Sequence, residues 1–317
     1  MCPVKRSASI TVSLFLLSAV ALTSSTWVNC KGRGSGLQVA LTVTDRSGAA
    51  RFSDPVTSGV PLSRSADIRK ADGLRLTGPS GDEVPAQFQV LSRWGGPPGD
   101  GSLPIKWLLV DFQADVPASG SATYTLSTGG GPTGTHMKVP RNDARYLEVD
   151  TGAAVFSFSK TVFRPFESVY VGGTRVLSPG DAFIQATDAS GRVYSSSNGA
   201  PGEVVLETDG PLRKTVRISG KLAGGAGTLL DCTLRVSLFA KSAAAKALVS
   251  VRNLRDPVVE AGQPLVCDIG CPRSAAFSDL EMVLLPRTGG SDTLRLGGAG
   301  EHRITAGSLE IYQDSSG

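Results

Sequence analysis

Histidine is almost missing from this chain: two residues in 317, His136 and His302. Nucleophilic catalysis of the Ser-His-Asp type needs such a base beside its nucleophile, and neither histidine has an obvious partner. No Gly-x-Ser-x-Gly elbow and no phosphate-binding glycine loop stands between a strand and a helix. Runs of lysine or arginine are absent too. The formal charge of +4 comes from 32 basic and 28 acidic residues that are interleaved, which excludes the clustered basic face that nucleic-acid binding requires. No stretch reaches the roughly 20 consecutive apolar residues of a membrane-spanning helix. Cysteine is sparse: Cys2, Cys30, Cys232, Cys267 and Cys271. A structural zinc site wants four ligands in paired short spacings, and only Cys232, His136 and His302 remain to complete one around the 267/271 pair. We therefore expect no metal and no cofactor.

What is abundant points to strands and turns. There are 38 glycines and 19 prolines, punctuation that suits many short strands better than long helices. Apolar residues make up 40% of the chain, enough for real cores, and the length suits two domains. The first thirty residues differ from the rest. Lys5 and Arg6 precede a mostly apolar stretch at 10–22, which contains Ala19-Val20-Ala21, a small-x-small cleavage pattern. This reads as a secretory signal over residues 1–30, so the protein is expected to be exported. Cys30 is a candidate for a lipid anchor, although Val28-Asn29 is a poor match for the small residues that usually precede one. In an oxidising compartment Cys267-Asp-Ile-Gly-Cys271 reads as a small-loop disulfide.

From Leu37 onward the apolar residues alternate with period two, the pattern of half-buried strands. Residues 37–43, 84–91 and 105–112 are such segments. The last is apolar on both faces and reads as a central strand. A first β domain over 37–128 gives way to a glycine-rich linker at 129–144, which contains Gly129-Gly130-Gly131-Pro132-Thr133-Gly134. A second β domain is expected over 145–317. Asp209-Gly210-Pro211 within it predicts a chain reversal. The alanine-rich run at 241–248 is too short for an independent helix.

Five residues carry chemistry suited to a sugar: Arg93, Trp94, Lys106, Glu207 and Asp209. A tryptophan face stacks on a sugar ring, and arginine or lysine pairs with a uronate carboxylate. Trp94 lies near a loop and is the stacking candidate, whereas Trp107 is expected inside the first core. Glu207 and Asp209 flank a turn, where a turn-stabilising role is the bland alternative. Sequence spacing among 28 acidic residues cannot single out a catalytic pair.

Several ordered motifs resemble a known family. They are Gly59-Val60-Pro61-Leu62, Val84-Pro85-Ala86-Gln87-Phe88, Arg93-Trp94, and the strand from Ile105 to Asp111-Phe112-Gln113-Ala114. Glu207-Thr208-Asp209-Gly210-Pro211-Leu212-Arg213 and Tyr312-Gln313-Asp314-Ser315-Ser316 continue the series. Together they resemble the exo-rhamnogalacturonan lyase-like family. The resemblance implies an all-β fold: an N-terminal RIFT-type β-barrel followed by a β-sandwich domain that is cut short. It also implies a pectin-like polysaccharide or oligosaccharide ligand. The family's C-terminal α/α-toroid, expected to carry most of the catalytic machinery, has no counterpart here, so the resemblance implies a non-catalytic portion and transfers no catalytic residue. The alternative is a complete polysaccharide lyase or glycoside hydrolase with a site between the two β domains.

Overall fold

The computed structural model describes residues 9–15, 20–21, 36–131, 137–253, 275–286, 293–296 and 302–305. The expected all-β class is what these residues adopt. Their only helical pieces are two single 3-10 turns, Arg64–Ala66 and Ser196–Asn198. Strands β1 (Ser9–Phe15) and β2 (Val20–Ala21) come from the segment read as an export signal. They are followed by β3 (Gln38–Asp45), β4 (Arg51–Pro61), β5 (Leu74–Thr77), β6 (Glu83–Val84), β7 (Ala86–Arg93), β8 (Ile105–Val116) and β9 (Ser121–Thr128). A five-stranded sheet in the order β2-β3-β9-β5-β6 and a three-stranded sheet β4-β8-β7 wrap around one core. Val39, Leu41 and Val43 alternate into that core from β3, and Leu108, Val110 and Phe112 enter it from β8. Phe112 and Tyr124 meet there with ring centroids 4.8 Å apart. As read from its apolar pattern, β8 is the central strand of its sheet.

The second half holds β10 (Lys138–Asn142), β11 (Tyr146–Asp150), β12 (Ala154–Ser159), β13 (Ser168–Val171) and β14 (Thr174–Leu177), joined in that order as one sheet. Its larger partner is built from β15 (Ala182–Asp188), β16 (Val193–Ser195), β17 (Glu203–Asp209), β18 (Arg213–Gly224), β19 (Gly227–Phe239), β20 (Ala245–Asn253) and β21 (Phe277–Leu284). The order is β1-β20-β19-β18-β16-β15-β21, with β17 paired to β18. A short hairpin of β22 (Thr293–Leu296) and β23 (His302–Thr305) completes the description. The two large sheets pack face to face over Phe156, Phe158, Val216, Ile218, Leu234 and Val236, each side chain contributing about 1.5–3 kcal/mol by leaving water. The reversal at Asp209-Gly210-Pro211 is the β17–β18 hairpin, closed by Gly210 N–H donating to the Arg213 carbonyl at 3.1 Å. The alanine-rich run becomes a turn leading into β20.

One expectation is corrected. Trp107 is not in the first core; it is 41% exposed. Period two decides this: Leu108, Val110 and Phe112 point inward, so Trp107, Leu109, Asp111 and Gln113 occupy the opposite face. That face is covered only around Asp111 and Gln113, and Trp107 lies beyond the cover. No helix among the described residues is long and apolar enough to cross a membrane. The Cys267/Cys271 pair, Cys30 and His136 lie outside the described residues.

Candidate functional site

The outward face of β8 meets the outward face of β18 at a buried ion pair. Arg213 Nε donates to Asp111 Oδ1 at 2.7 Å, with the two residues 9% and 2% exposed. Thr57, opposite Asp111 on β4, donates its hydroxyl to the same carboxylate oxygen at 2.5 Å. Gln87, opposite Asp111 on β7, accepts from the backbone N–H groups of Leu212 and Arg213 through Oε1, at 3.1 and 2.9 Å. Gln113 Nε2 donates to the Ala240 carbonyl at 2.6 Å. Gly210 makes this approach possible, since a methyl group there would fall 2.0 Å from the Gln87 side chain. Strand β8 is thereby locked to the β17–β18 hairpin.

Four residues or about 13 Å along β8 from Asp111 stands Trp107. Its indole meets β4 through the N–H edge: a methyl at Gly59 would sit 2.4 Å from Nε1 and 3.1 Å from Cε2. A glycine inside a strand commonly marks such a close approach. That edge contact restrains the ring while leaving much of it exposed to solvent. Leu91, 39% exposed, and the exposed Gln89 continue this face on β7. An immobilised aromatic plate beside a side-chain amide is a surface on which a sugar ring can stack and hydrogen-bond.

On the outward face of its own sheet, β18 presents Arg213, Thr215, Arg217, Ser219 and Lys221 by the same alternation. Arg217 and Arg235 stand directly opposite each other on β18 and β19. Glu207 holds them together: Arg235 binds its carboxylate through two nitrogens at 2.7 and 3.1 Å, and Arg217 Nε lies 3.2 Å away. The Arg235 guanidinium is the main reason the Glu207 carboxyl stays below its ordinary range, with the Arg217 and Arg213 charges adding to it. Further out, burial would raise the Asp231 carboxyl, but hydrogen bonds from Lys221 and Arg252 outweigh it and the net shift is downward. Between these clusters lies a row of hydroxyls in register: Ser219, Thr233 and Ser250. The resulting groove has a volume of about 980 Å³. Cys232 borders it, but burial pushes its thiol up to about 12, so it is no nucleophile at neutral pH.

The residues singled out in the sequence fall into three places. Arg93 ties a loop together, donating to the carbonyls of Pro98, Arg69 and Leu103 at 2.6, 2.9 and 2.6 Å. Trp94 is half-buried; its indole N–H donates to the Leu62 carbonyl at 3.0 Å and the Lys106 ammonium sits 5.0 Å from its ring centroid. One ring face is therefore occupied by Lys106, which itself is exposed. Glu207 does lie on the cation-rich wall, whereas Asp209 is engaged with Lys214 at the hairpin. Trp107, Arg217 and Arg235 were not anticipated. The readable signals were Gly59 within a strand and the spacing of four that separates Arg213, Arg217 and Lys221. Among the described residues no group of three or more His, Cys, Asp or Glu side chains is placed to hold a metal ion.

No family model matches the chain, and no curated protein matches it. Among solved structures it is similar to an alpha-mannosidase from Enterococcus faecalis V583, at 11% identity and a TM-score of 0.45 over 68% of this chain and 30% of that one. A protein in glycosyl hydrolase family 38 from Enterococcus faecalis gives the same identity and TM-score over 68% and 31%. The chain thus spans less than a third of the length of either.

Proposed function

We propose that this chain is a non-catalytic, glycan-binding β portion of an exported polysaccharide-processing protein, similar to the front part of exo-rhamnogalacturonan lyase-like enzymes. Its ligand is a pectin-like acidic glycan that stacks on Trp107 and pairs with Arg217 and Arg235. The observation that carries this reading is the exposed Trp107 indole, held with its N–H edge against Gly59. Exposed tryptophan fixed in one orientation loses little entropy on binding. The guanidinium groups beyond Arg213 supply fork-shaped partners for a uronate carboxylate. Export rests on the charged start, the apolar stretch and Ala19-Val20-Ala21.

The alternative, a complete lyase or hydrolase working between the two β domains, requires an accessible base there. The carboxylate at that position, Asp111, is 2% exposed and bridged by Arg213 and Thr57. The test is calorimetric titration with oligogalacturonides and rhamnogalacturonan fragments, run beside an absorbance assay for unsaturated uronate. Saturable binding without turnover is expected, with affinity falling as salt rises. Binding to none of these fragments, or product formation by the purified chain, would overturn the reading.

A further inference from the structure

A second open cleft lies on the outer face of the β10–β14 sheet, away from Trp107 and the Arg217–Arg235 pair. It encloses about 410 Å³ and its walls are set by strand register. Glu148 on β11 stands opposite Ser157 on β12, which stands opposite Ser168 on β13. In the neighbouring row Asp150, Val155, Tyr170 and Arg175 face one another across four strands. Ser157 forms the floor. It is only 6% exposed, it lines the cleft, and among the described residues no protein group hydrogen-bonds its hydroxyl. Its hydroxyl does not count among the buried polar atoms left without a partner, so it is reachable from the cleft as donor or acceptor. Tyr170 is 36% exposed at the wall. Gly152, Gly172 and Gly173 at the strand ends have positive φ and carry no side chain that would narrow the mouth.

We infer that this cleft is a second sugar site, specific for an uncharged ring. Tyr170 supplies an aromatic wall, with the Arg175 guanidinium taking one side of its ring. Glu148 and Asp150 are two residues apart on one strand, about 7 Å, and accept hydrogen bonds from neighbouring hydroxyls, while Ser157 serves as donor or acceptor on the floor. Charge decides the class of ligand. The charges here are already matched: Arg141 lies 2.6 Å from Asp143 and 3.9 Å from Glu148, and the Arg175 guanidinium is 5.9 Å from the Tyr170 ring centroid. Lys138, Arg141 and Arg175 stand against Asp143, Glu148 and Asp150, which leaves no net charge to reward an ion. The chemistry differs from that of the arginine-lined groove, so one chain would grip acidic and neutral stretches of a glycan on two faces. This site stands on its own residues, but its place in a glycan-binding protein rests on the proposal above.

The experiment is titration of the full chain with neutral galactan, arabinan and mannan oligosaccharides. Wild type, Tyr170→Ala, and a double variant with Glu148→Gln and Asp150→Asn are compared, each checked for an unchanged circular dichroism spectrum. At least one neutral series should bind, with affinity reduced about tenfold or more in both variants and untouched by Trp107→Ala. Failure of every neutral series to bind would overturn the inference, as would neutral binding that both variants retain or preferential binding of a lysine-rich peptide. Acidic fragments measured in the same samples report on Trp107 and the arginine pair separately. Loss of acidic binding alone would sink the earlier reading and leave this one standing.

Discussion

Two arginine–carboxylate pairs on the same sandwich face differ in almost everything but chemistry. Arg213–Asp111 joins two β units with side chains 10% and 3% exposed; Arg235–Glu207 lies one turn of the pattern outward with side chains 38% and 35% exposed. The buried pair cannot exchange its partner for water or ligand. Asp111 Oδ2 is buried without a hydrogen bond, so even this pair is only partly satisfied and its contribution is positional more than stabilising. The open pair leaves guanidinium N–H groups facing solvent, where another carboxylate can compete. Burial separates a hinge-pin from a docking point, although both are written as Arg and an acid.

That contrast can be broken by substitution. Asp111→Ala strands a buried guanidinium, and chemical denaturation should show a loss of about 3–5 kcal/mol. A loss below about 1 kcal/mol would mean that the pair is solvated after all. Gly210→Ala drives a methyl into the Gln87 side chain and should cost about 1–3 kcal/mol as overpacking; adding Gln87→Ala should recover much of that if this contact is the cause. Arg235→Ala, in contrast, should change stability by about 0–1 kcal/mol while weakening acidic-glycan binding. A large unfolding effect there would make Arg235 structural and erase the difference between the two pairs.

Acid sharpens the same point for exposed carboxylates. Asp188 is lowered to about 2, first by the Ser190 hydroxyl and then by the Arg192 backbone N–H. The Arg141 side chain leads the causes that lower Asp143 to about 2. A folded pKa below the unfolded value of about 3.9 gives stability that is complete above about pH 4 and is lost as pH falls toward 2. The melting temperature should therefore stay level from pH 7 to about pH 5 and decline below about pH 4. A decline on going up from pH 5 to 7 would contradict these assignments.

Much of the fold was legible because period two survives in the sequence. Residues 105–112 announced a central strand, and Asp209-Gly210-Pro211 announced the hairpin that carries Arg213. Trp107 was misplaced for a physical reason. Alternation gives the face on which a residue lies, not how far a second layer extends over that face, and the cover stops at Asp111. The locking contacts were invisible for a different reason: Gln87 and Arg213 are 126 positions apart. Arg93 and Trp94 were rightly noticed as conspicuous, but their hydrogen bonds to the carbonyls of Pro98, Leu103 and Leu62 are loop and strand closure. Nothing in a one-dimensional pattern separates a tryptophan that closes a loop from one that offers its face.

Those two tryptophans decide the account most directly. Melting temperature and affinity for rhamnogalacturonan fragments should be measured on Trp107→Ala and Trp94→Ala in parallel. An exposed ring costs little to remove, so Trp107→Ala should keep within about 1 kcal/mol of wild-type stability and bind about tenfold or more weakly. Trp94→Ala should lose stability with its hydrogen bond to Leu62 and its contact with Lys106, yet bind the glycan as wild type does once folded. If Trp107→Ala binds normally, or if binding depends on Trp94 instead, the ring beside Gly59 is not the site.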